Sequence, residues 1–323
     1  MSDLAHPGLP PTERRNPDTR DLDRLSSLEL LRTINREDQR VAPAVETALP
    51  ALAPVVDEAA RRLRGGGRVH YVGAGTSGRL AVLDAVELQP TYSLEPGRFV
   101  AHQAGGPAAL TTAIEGAEDS LEAGVAAVAD IGPHDVCIGL AASGATPFVH
   151  GALTAARDRG ALTVLVSADP DAPIAPDVAV HVCVPTGPEV VAGSTRMKAG
   201  TAQKLVLNAF STAVMVRLGK TYSNLMVDVA ATNDKLRRRV VTILGEATGL
   251  PEDTCRAALT TAGGELKVAL VMLLADVACD RATAALDAEG GVVRAALRRI
   301  DDRMTPPGRA PVGVPRADQE ENR

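Results

Sequence analysis

In this chain of 323 residues, the fold is indicated most clearly by the segment Arg68-Val-His-Tyr-Val-Gly-Ala-Gly-Thr-Ser-Gly78. Residues 68–72 form a short, mostly apolar run typical of a buried strand, and residues 73–78 form a glycine-rich loop. Residues 79–87 then have the apolar spacing of a helix. The order of strand, loop and helix predicts one unit of a parallel α/β sheet.

The same order recurs further along the chain. Three more apolar runs occur at residues 136–140, 162–167 and 178–184, and each has the length of a buried strand. Helices are predicted over residues 147–159 and 196–218 from their apolar spacing. Apolar strands that alternate with helices are typical of a parallel sheet covered on both faces, and such sheets bind ligands beyond the carboxyl ends of their strands. We therefore predict an α/β fold.

Helices are also expected on both sides of this sheet region. Ser26 and Glu29 have the spacing of a capping box, which predicts that a helix begins near residue 27. From about Gly249 to residue 300 only helical spacing remains. The expected segments are a flexible N-terminal arm (1–20), a sheet domain (21–245), a small all-helical C-terminal module (246–300) and a flexible tail (301–323).

The composition argues against several classes of protein. Hydrophobic residues make up 45% of the chain, which is enough for a folded core. With a net charge of −6, three Tyr, three Phe and no Trp, the chain lacks the basic, aromatic-rich surface of a nucleic-acid-binding protein. No apolar run approaches the ~20 residues that cross a bilayer, and the N-terminus has no apolar signal region. The four scattered cysteines are typical of a reducing compartment and form no metal-binding pattern. We expect a cytoplasmic protein with no nucleic-acid partner, no membrane partner and no metal.

Three loops combine small residues with hydroxyl groups just before a predicted helix. They are Gly73-Ala-Gly-Thr-Ser-Gly78, Ala142-Ser-Gly-Ala-Thr146 and Gly193-Ser-Thr-Arg196. Backbone amides at a helix N-terminus and the positive end of the helix dipole favour a bound anion. Because none of the loops is a Walker A sequence, a phosphate monoester fits them better than a nucleotide polyphosphate with Mg²⁺. The candidate phosphate-binding residues are Thr76, Ser77, Ser143, Thr146, Ser194 and Thr195.

Two alternatives apply to these loops. The hydroxyl groups could simply cap helices. The first loop also has the GxGxxG spacing of a dinucleotide-binding fold, which requires an acidic residue about 20 positions later at the end of the second strand. Glu95 has that spacing, but it lies in the turn sequence Leu-Glu-Pro-Gly. NAD binding is therefore the weaker hypothesis.

Six segments of the chain, including two of these loops, resemble one family. They are Thr12-Glu-Arg-Arg-Asn16, Ile34-Asn-Arg-Glu-Asp38, Gly73-Ala-Gly-Thr-Ser-Gly-Arg-Leu80, Glu115-Gly-Ala-Glu-Asp119, Gly193-Ser-Thr-Arg-Met-Lys-Ala-Gly-Thr-Ala-Gln-Lys204 and Asn224-Leu-Met-Val-Asp228. In these segments the chain is similar to the N-acetylmuramic acid 6-phosphate etherase family, which has a sugar isomerase (SIS) domain. The resemblance extends from about Thr12 to Ile300, and the segment that begins at Gly193 is its most specific part.

This resemblance implies a fold, a reaction and an assembly. The fold is an SIS-type parallel sheet flanked by helices, with an SIS phosphosugar-binding catalytic domain at residues 21–245 and the helical C-terminal module. The reaction cleaves the D-lactyl ether of a phosphorylated amino sugar, N-acetylmuramic acid 6-phosphate, and yields N-acetylglucosamine 6-phosphate and D-lactate in peptidoglycan recycling. The resemblance further implies a cytoplasmic homodimer that uses no cofactor.

The resemblance also assigns two catalytic residues. Glu87 corresponds to the family's proton-donor glutamate and Glu118 to its second active-site glutamate. We assign Glu87 as the acid at the lactyl oxygen and Glu118 as the base at C2, although the direction of this assignment stays open. From its position alone, Lys198, with Arg196, is a candidate for stabilising phosphate or enolate, and a salt bridge is the alternative. Glu189 could position a ligand or make a structural loop contact.

The chain departs from the family pattern at two places. Leu88 and Gln89 stand before Pro90 where the family usually has Cys-Pro, and Ala145 stands where the family usually has arginine. The loss of that arginine affects the expected affinity for phosphate or for the lactyl carboxylate. Two other functions stay open, a non-catalytic phosphosugar-binding regulator of the same fold and an aldose–ketose phosphate isomerase.

Overall fold

The computed structural model describes residues 9–228 and 234–304 and separates the chain into two compact units. The first unit ends at Lys220 and the second begins at Thr221. The first unit contains a five-stranded sheet, and the described part of the second is mainly helical. The boundary expected near residue 245 falls inside a helix, Asp234–Thr248.

The first unit consists of strands that alternate with helices. Its strands are β1 (Val69–Gly73), β2 (Phe99–Gln103), β3 (Val136–Leu140), β4 (Leu162–Ser167) and β5 (Val180–Cys183). Its helices are α1 (Ser27–Asp38), α2 (Val41–Arg64), α3 (Gly75–Tyr92), α4 (Leu121–Ala127), α5 (Pro147–Asp158) and α6 (Lys198–Arg217). All strand pairs are parallel, in the order β2-β1-β3-β4-β5. This arrangement confirms the predicted fold class.

Different helices cover the two faces of this sheet. On one face the Tyr71 ring of β1 packs edge-on against Phe210 of α6, with 6.3 Å between the ring centroids. On the other face Cys137 of β3 lies in a buried cluster with Val149 of α5. A Cβ atom at Gly139 would lie 2.6 Å from the Val149 side chain, so glycine allows α5 to approach the sheet closely. Because the strands are parallel, their carboxyl ends lie together at one edge of the sheet, between the helices that cover its two faces.

Most of the predicted strands have nearly the predicted bounds. β3 and β4 match the sequence prediction, and β1 and β5 differ from it by one or two residues. β2 is a strand that the sequence analysis does not predict. It lies at the edge of the sheet, and only Phe99 of its five residues is fully buried. Its apolar residues end at Ala101 and are followed by His102 and Gln103, so the run is too short to indicate a buried strand.

The first two helices follow from local sequence signals. In the capping box of α1, the Ser26 hydroxyl accepts a hydrogen bond from the Glu29 amide, and the Ser26 amide donates to the Glu29 carboxylate. α2 continues through Pro50 and Pro54 as one helix of 24 residues. Buried residues recur along its length, which indicates that packing against the sheet unit offsets the cost of the two prolines.

The N-terminal segment differs from the expected flexible arm. Residues 1–8 lie outside the described part, but residues 9–25 contain three short 3₁₀ helices that pack against a distant loop. The Asn16 side chain donates a hydrogen bond to the Pro188 carbonyl (3.3 Å), and the Thr19 hydroxyl donates to the Val190 carbonyl (2.9 Å). Because these partners are more than 170 positions away, the polar composition of the segment gives no indication that it is ordered.

The second unit begins with a two-stranded hairpin and continues as helices. Its elements are β6 (Thr221–Tyr222), β7 (Leu225–Met226), α7 (Asp234–Thr248), α8 (Glu252–Thr261), α9 (Leu266–Ala275), α10 (Cys279–Ala288) and α11 (Val293–Met304). The buried side chains of Leu244, Leu270 and Ile300 join α7, α9 and α11 in one core. This part confirms the predicted helical C-terminal module. The flexible tail was predicted to begin at residue 301, but residues 301–304 belong to α11, and residues 305–323 lie outside the described part of the chain.

None of the described helices is both long and apolar enough to span a bilayer alone. One pair, α8 and α9, reaches that length and composition only together, across a bend of 118°.

Candidate functional site

A cleft of about 470 Å³ lies where the three predicted loops meet. It is at the carboxyl ends of β1 and β3, in the position expected for a ligand site in a parallel sheet. Six of the candidate residues line it: Thr76, Ser77, Glu118, Ser143, Thr146 and Thr195. Three other candidates, Glu87, Ser194 and Lys198, do not line it.

The N-terminus of α3 forms one wall of this cleft. Gly75 adopts a left-handed φ of +53°, which glycine tolerates, and the helix starts there rather than at residue 79. The residue before it, Ala74, has no side chain that can accept hydrogen bonds from the first-turn amides. The amides of Gly75, Thr76 and Ser77 therefore sit at the positive end of the α3 dipole beside the cleft. This arrangement can bind an anion.

β2 argues against a dinucleotide in the same place. A dinucleotide-binding fold requires an acidic residue at the end of the second strand, where it holds the ribose. Here β2 ends in Gln103, which carries an amide. A Cβ atom at Gly78 would lie only 1.8 Å from the Gln103 side-chain oxygen, so the two segments pack closely.

A second wall joins the α5 N-terminus to the turn that carries Glu118. Pro147 is the first residue of α5, where its missing N–H costs no helical hydrogen bond. The next amide, that of Phe148, donates to the Glu118 backbone carbonyl at 3.0 Å. Ser143 lies in the preceding loop, and its hydroxyl accepts a hydrogen bond from the Ala145 amide at 3.3 Å. Glu118 is thus fixed by its backbone beside the second hydroxyl loop, while the residue stays exposed at the cleft.

The charged lining of the cleft is entirely acidic among the described residues. Glu13 and Asp119 line it together with Glu118, and no lysine or arginine does. Sequence analysis did not single out Glu13 or Asp119 as site residues. Glu13 reaches the cleft because the Gly193 amide donates to the Thr12 carbonyl at 3.0 Å. An anion in this cleft would be held by amides, hydroxyl groups and helix dipoles.

The N-terminus of α6 is already occupied by a side chain of the protein. Both Glu189 carboxylate oxygens accept backbone hydrogen bonds at 2.9 Å, one from Lys198 and one from Ala199. Glu189 is 0% exposed, and this burial raises the pKa of its carboxyl group. Glu189 was predicted either to position a ligand or to make a structural contact, and the structure shows it in a structural contact with the first amides of α6.

Lys198 belongs to a buried ion pair next to this cap. Its Nζ lies 2.7 Å from Glu37 Oε2, and Lys198 is only 1% exposed. Glu37 also accepts a hydrogen bond from Asn16 at 2.8 Å and forms an ion pair with Arg40 at 3.1 Å. Although burial opposes the charged form, the hydrogen bonds from Lys198 and Asn16 lower the pKa of Glu37. The salt-bridge alternative therefore describes Lys198 in this structure.

Glu87 lies on the solvent-exposed side of α3, away from the cleft of its own chain. It is twelve residues beyond Gly75, or roughly 18 Å along the helix at ~1.5 Å per residue. Two apolar neighbours on the same helix are also exposed, Leu83 at 55% and Val86 at 62%. The structure does not bring Glu87 and Glu118 together within one chain.

A smaller pocket of about 310 Å³ adjoins the cleft. The two share Ala74, Gly75 and Glu118, so Glu118 lies at their boundary. Arg79 and Glu115 contribute charged side chains to this second pocket.

Comparison with known proteins identifies similar sequences. The family model "Glucokinase regulatory protein N-terminal SIS domain" matches residues 51–157. A protein of Thermobifida fusca named N-acetylmuramic acid 6-phosphate etherase is 61% identical over 264 residues, which cover 82% of this chain and 87% of that protein. A protein of the same name from Serratia proteamaculans is 50% identical over 290 residues, which cover 89% of this chain and 98% of that protein.

Among solved structures, the similarity is more distant. A putative sugar-phosphate isomerase from Listeria monocytogenes is 18% identical with a TM-score of 0.45, and the match covers 61% of this chain and 94% of that one. A phosphoheptose isomerase from Francisella tularensis is 18% identical with a TM-score of 0.44, and the match covers 59% of this chain and 100% of that one.

Proposed function

The chain belongs to the N-acetylmuramic acid 6-phosphate etherase family, and we propose that it catalyses the reaction for which this family is named in the cleft that contains Glu118. It is a carbon–oxygen lyase that cleaves the D-lactyl ether of N-acetylmuramic acid 6-phosphate, giving N-acetylglucosamine 6-phosphate and D-lactate. The observation that carries this conclusion is the 61% identity to the Thermobifida fusca protein over most of both chains. The regulator alternative is not favoured, because its family model matches only residues 51–157.

The chemistry of the ether bond requires an acid and a base. Direct hydrolysis is slow because an alkoxide is a poor leaving group. Once the sugar ring opens, C1 is an aldehyde, and the proton on the neighbouring C2 can be removed by a general base. The bond from C3 to the lactyl oxygen then breaks as a general acid protonates that oxygen. Water adds to the resulting double bond, placing its oxygen on C3 and returning a proton to C2.

Glu118 is the base in this scheme. Its position at the boundary of the cleft and the adjoining pocket supports contact with the middle of a bound sugar. The hydroxyl groups of the cleft and the open α3 N-terminus support binding of the 6-phosphate on one side. Metal and cofactor are not required by this scheme, since both proton transfers use carboxyl groups.

Glu87 is the acid, and it acts in the cleft of a second copy of the chain. About 18 Å of helix separate it from Gly75, which is farther than a glutamate side chain reaches. The exposed Leu83 and Val86 lie at helical spacing beside it, and this apolar stripe supports an interface at this face of α3. A homodimer that covers this stripe would supply Glu87 to the partner's cleft. We further place this dimer in the cytoplasm, which agrees with its four free cysteines.

The first experiment measures D-lactate released from N-acetylmuramic acid 6-phosphate in ¹⁸O-labelled water without added metal. We expect unlabelled lactate and an amino-sugar product that carries the label at C3. Label in the lactate would contradict elimination. Saturable sugar-phosphate binding with no lactate release would instead support the regulator.

Mixed dimers test the shared site. Glu87→Gln and Glu118→Gln should each abolish lactate release. A dimer of Glu87→Gln chains has no catalytic acid in either site, and a dimer of Glu118→Gln chains has no catalytic base. Unfolding and refolding an equal mixture should restore about a quarter of the wild-type activity, because about half of the dimers are mixed and each has one intact site. No recovery in a mixture that forms mixed dimers would show that both glutamates act within one chain.

A further inference from the structure

The pocket beside the cleft differs from it in chemistry. Threonine and serine hydroxyls line the main cleft, whereas the described residues that line the smaller pocket carry no hydroxyl group and are mainly alanine and glycine. Its cationic side chain is Arg79, on the first turns of α3. Any anion in this pocket would therefore depend on Arg79 rather than on hydroxyl groups.

Arg79 is held in place by backbone groups. Its Nε donates to the Leu110 carbonyl at 3.0 Å, and its Nη2 donates to the Ala109 carbonyl at 2.7 Å. Both carbonyls belong to the short 3₁₀ helix Pro107–Leu110, which orients the plane of the guanidinium group. Only two of its five N–H donors are used by these hydrogen bonds.

The charge of Arg79 is not balanced locally. Within residues 9–228 and 234–304 no carboxylate forms an ion pair with it, although Glu115 and Glu118 line the same pocket. Ion pairs are formed by several other arginines of the first unit, among them Arg68 and Arg62. A half-buried guanidinium group that is already oriented and has free donors suits a carboxylate, which it can bind through two parallel hydrogen bonds.

We propose that Arg79 binds the lactyl carboxylate of the substrate in this pocket and thereby distinguishes substrate from product. This inference rests on the proposed function. With the phosphate among the hydroxyl groups and C2 at Glu118, the substituent on C3 extends past Glu118 into the adjoining pocket. Arg79 supplies a cation to the lactyl group although position 145, where the family usually has arginine, is alanine.

The test compares two ligands that differ in the lactyl group. Calorimetric titrations use Glu118→Gln, which prevents turnover, with and without Arg79→Gln. Loss of Arg79 should weaken binding of N-acetylmuramic acid 6-phosphate about tenfold to hundredfold, the usual effect of losing a hydrogen bond to a charged group. Binding of N-acetylglucosamine 6-phosphate, which has no lactyl carboxylate, should change less than about twofold on the same argument.

A structural role for Arg79 gives a different result. If it only holds the Ala109–Leu110 backbone, both ligands lose affinity equally, and this outcome or no change for either ligand overturns the proposal. Arg98→Gln is the matched control, since Arg98 also donates to a backbone carbonyl, that of Leu63, but lies outside both pockets. Should Arg79→Gln fail to fold, Arg79→Lys replaces it and must show the same selectivity to a smaller degree.

The outcome can be separated from failure of the proposed reaction. Lactate release is measured on the wild-type chain and does not depend on Arg79 variants. Equal losses for the two ligands with normal wild-type lactate release refute only the role of Arg79. A wild-type chain that releases no lactate refutes the reaction.

Discussion

At the scale of single residues, the structure separates hydroxyl groups that look equivalent in the sequence. Ser143 lines the cleft, whereas Ser194, in a loop of similar composition, does not. The two loops also differ in the helix that follows them, because Glu189 already accepts hydrogen bonds from the first amides of the helix after Ser194. Local sequence cannot reveal this, since the capping carboxylate comes from a separate turn.

Ser143→Ala should weaken binding of substrate and product alike by about tenfold, because both carry the phosphate and a hydrogen bond to a charged group is lost. Ser194→Ala is the control and should leave both affinities unchanged. Dissociation constants for the two sugar phosphates give the answer. A loss confined to one ligand would remove Ser143 from the phosphate site.

At the scale of elements, β3, β4 and the α1 capping box could be predicted because their signals are local. β2 could not, since an edge strand with one fully buried residue lacks the apolar pattern of the central strands. The candidate site was predicted in part. The strand ends bring Thr76, Ser143 and Thr195 to one cleft, but the ion pair of Lys198 with Glu37 depends on a residue 161 positions away.

The α6 cap should be important for stability. Glu189→Ala leaves two buried amides without an acceptor, and we expect the free energy of unfolding to fall by about 2–4 kcal/mol. Glu46→Ala, at an exposed position of α2, should change it by less than about 0.5 kcal/mol. Urea denaturation measures both. An equally small effect of the two substitutions would show that water replaces the Glu189 carboxylate.

At the scale of the whole molecule, stability should depend on a histidine pair in which His70 is buried and His102 is half-buried. His70 Nδ1 lies 2.9 Å from His102 Nε2, and the two rings are stacked. Burial, with the positive charge of His102, lowers the pKa of His70 to about 4. Burial also lowers the pKa of His102. The folded state thus favours uncharged rings, whereas the unfolded chain binds protons near pH 6.5.

The sign of the pH effect follows from this difference. The contribution of His70 to the free energy of unfolding is fully present above pH 6.5. It decreases by about 3 kcal/mol as the pH falls towards about 4, at ~1.4 kcal/mol per pKa unit. The buried carboxyl groups of Asp84 and Glu189 have raised pKa values and act in the opposite direction. Comparison with His70→Gln isolates the histidine contribution.

Urea denaturation at pH 7, 5.5 and 4.5 provides the measurement. As the pH falls from 7 to 4.5, the wild-type free energy of unfolding should decrease more steeply than that of His70→Gln. His134→Gln, at an exposed position, should keep the wild-type slope. Identical slopes for all three proteins would contradict a role for the histidine pair.

The contact between Thr12 and Gly193 has a consequence for how the protein is made. Glu13 is translated before the loop against which its segment packs, and the about 180 residues between them take roughly 10–40 s at the usual rate of synthesis. The segment around Glu13 therefore reaches its folded position only after residue 193 has been translated. Throughout that interval the cleft lacks one wall, and a nascent chain that stops before residue 193 cannot have a complete site.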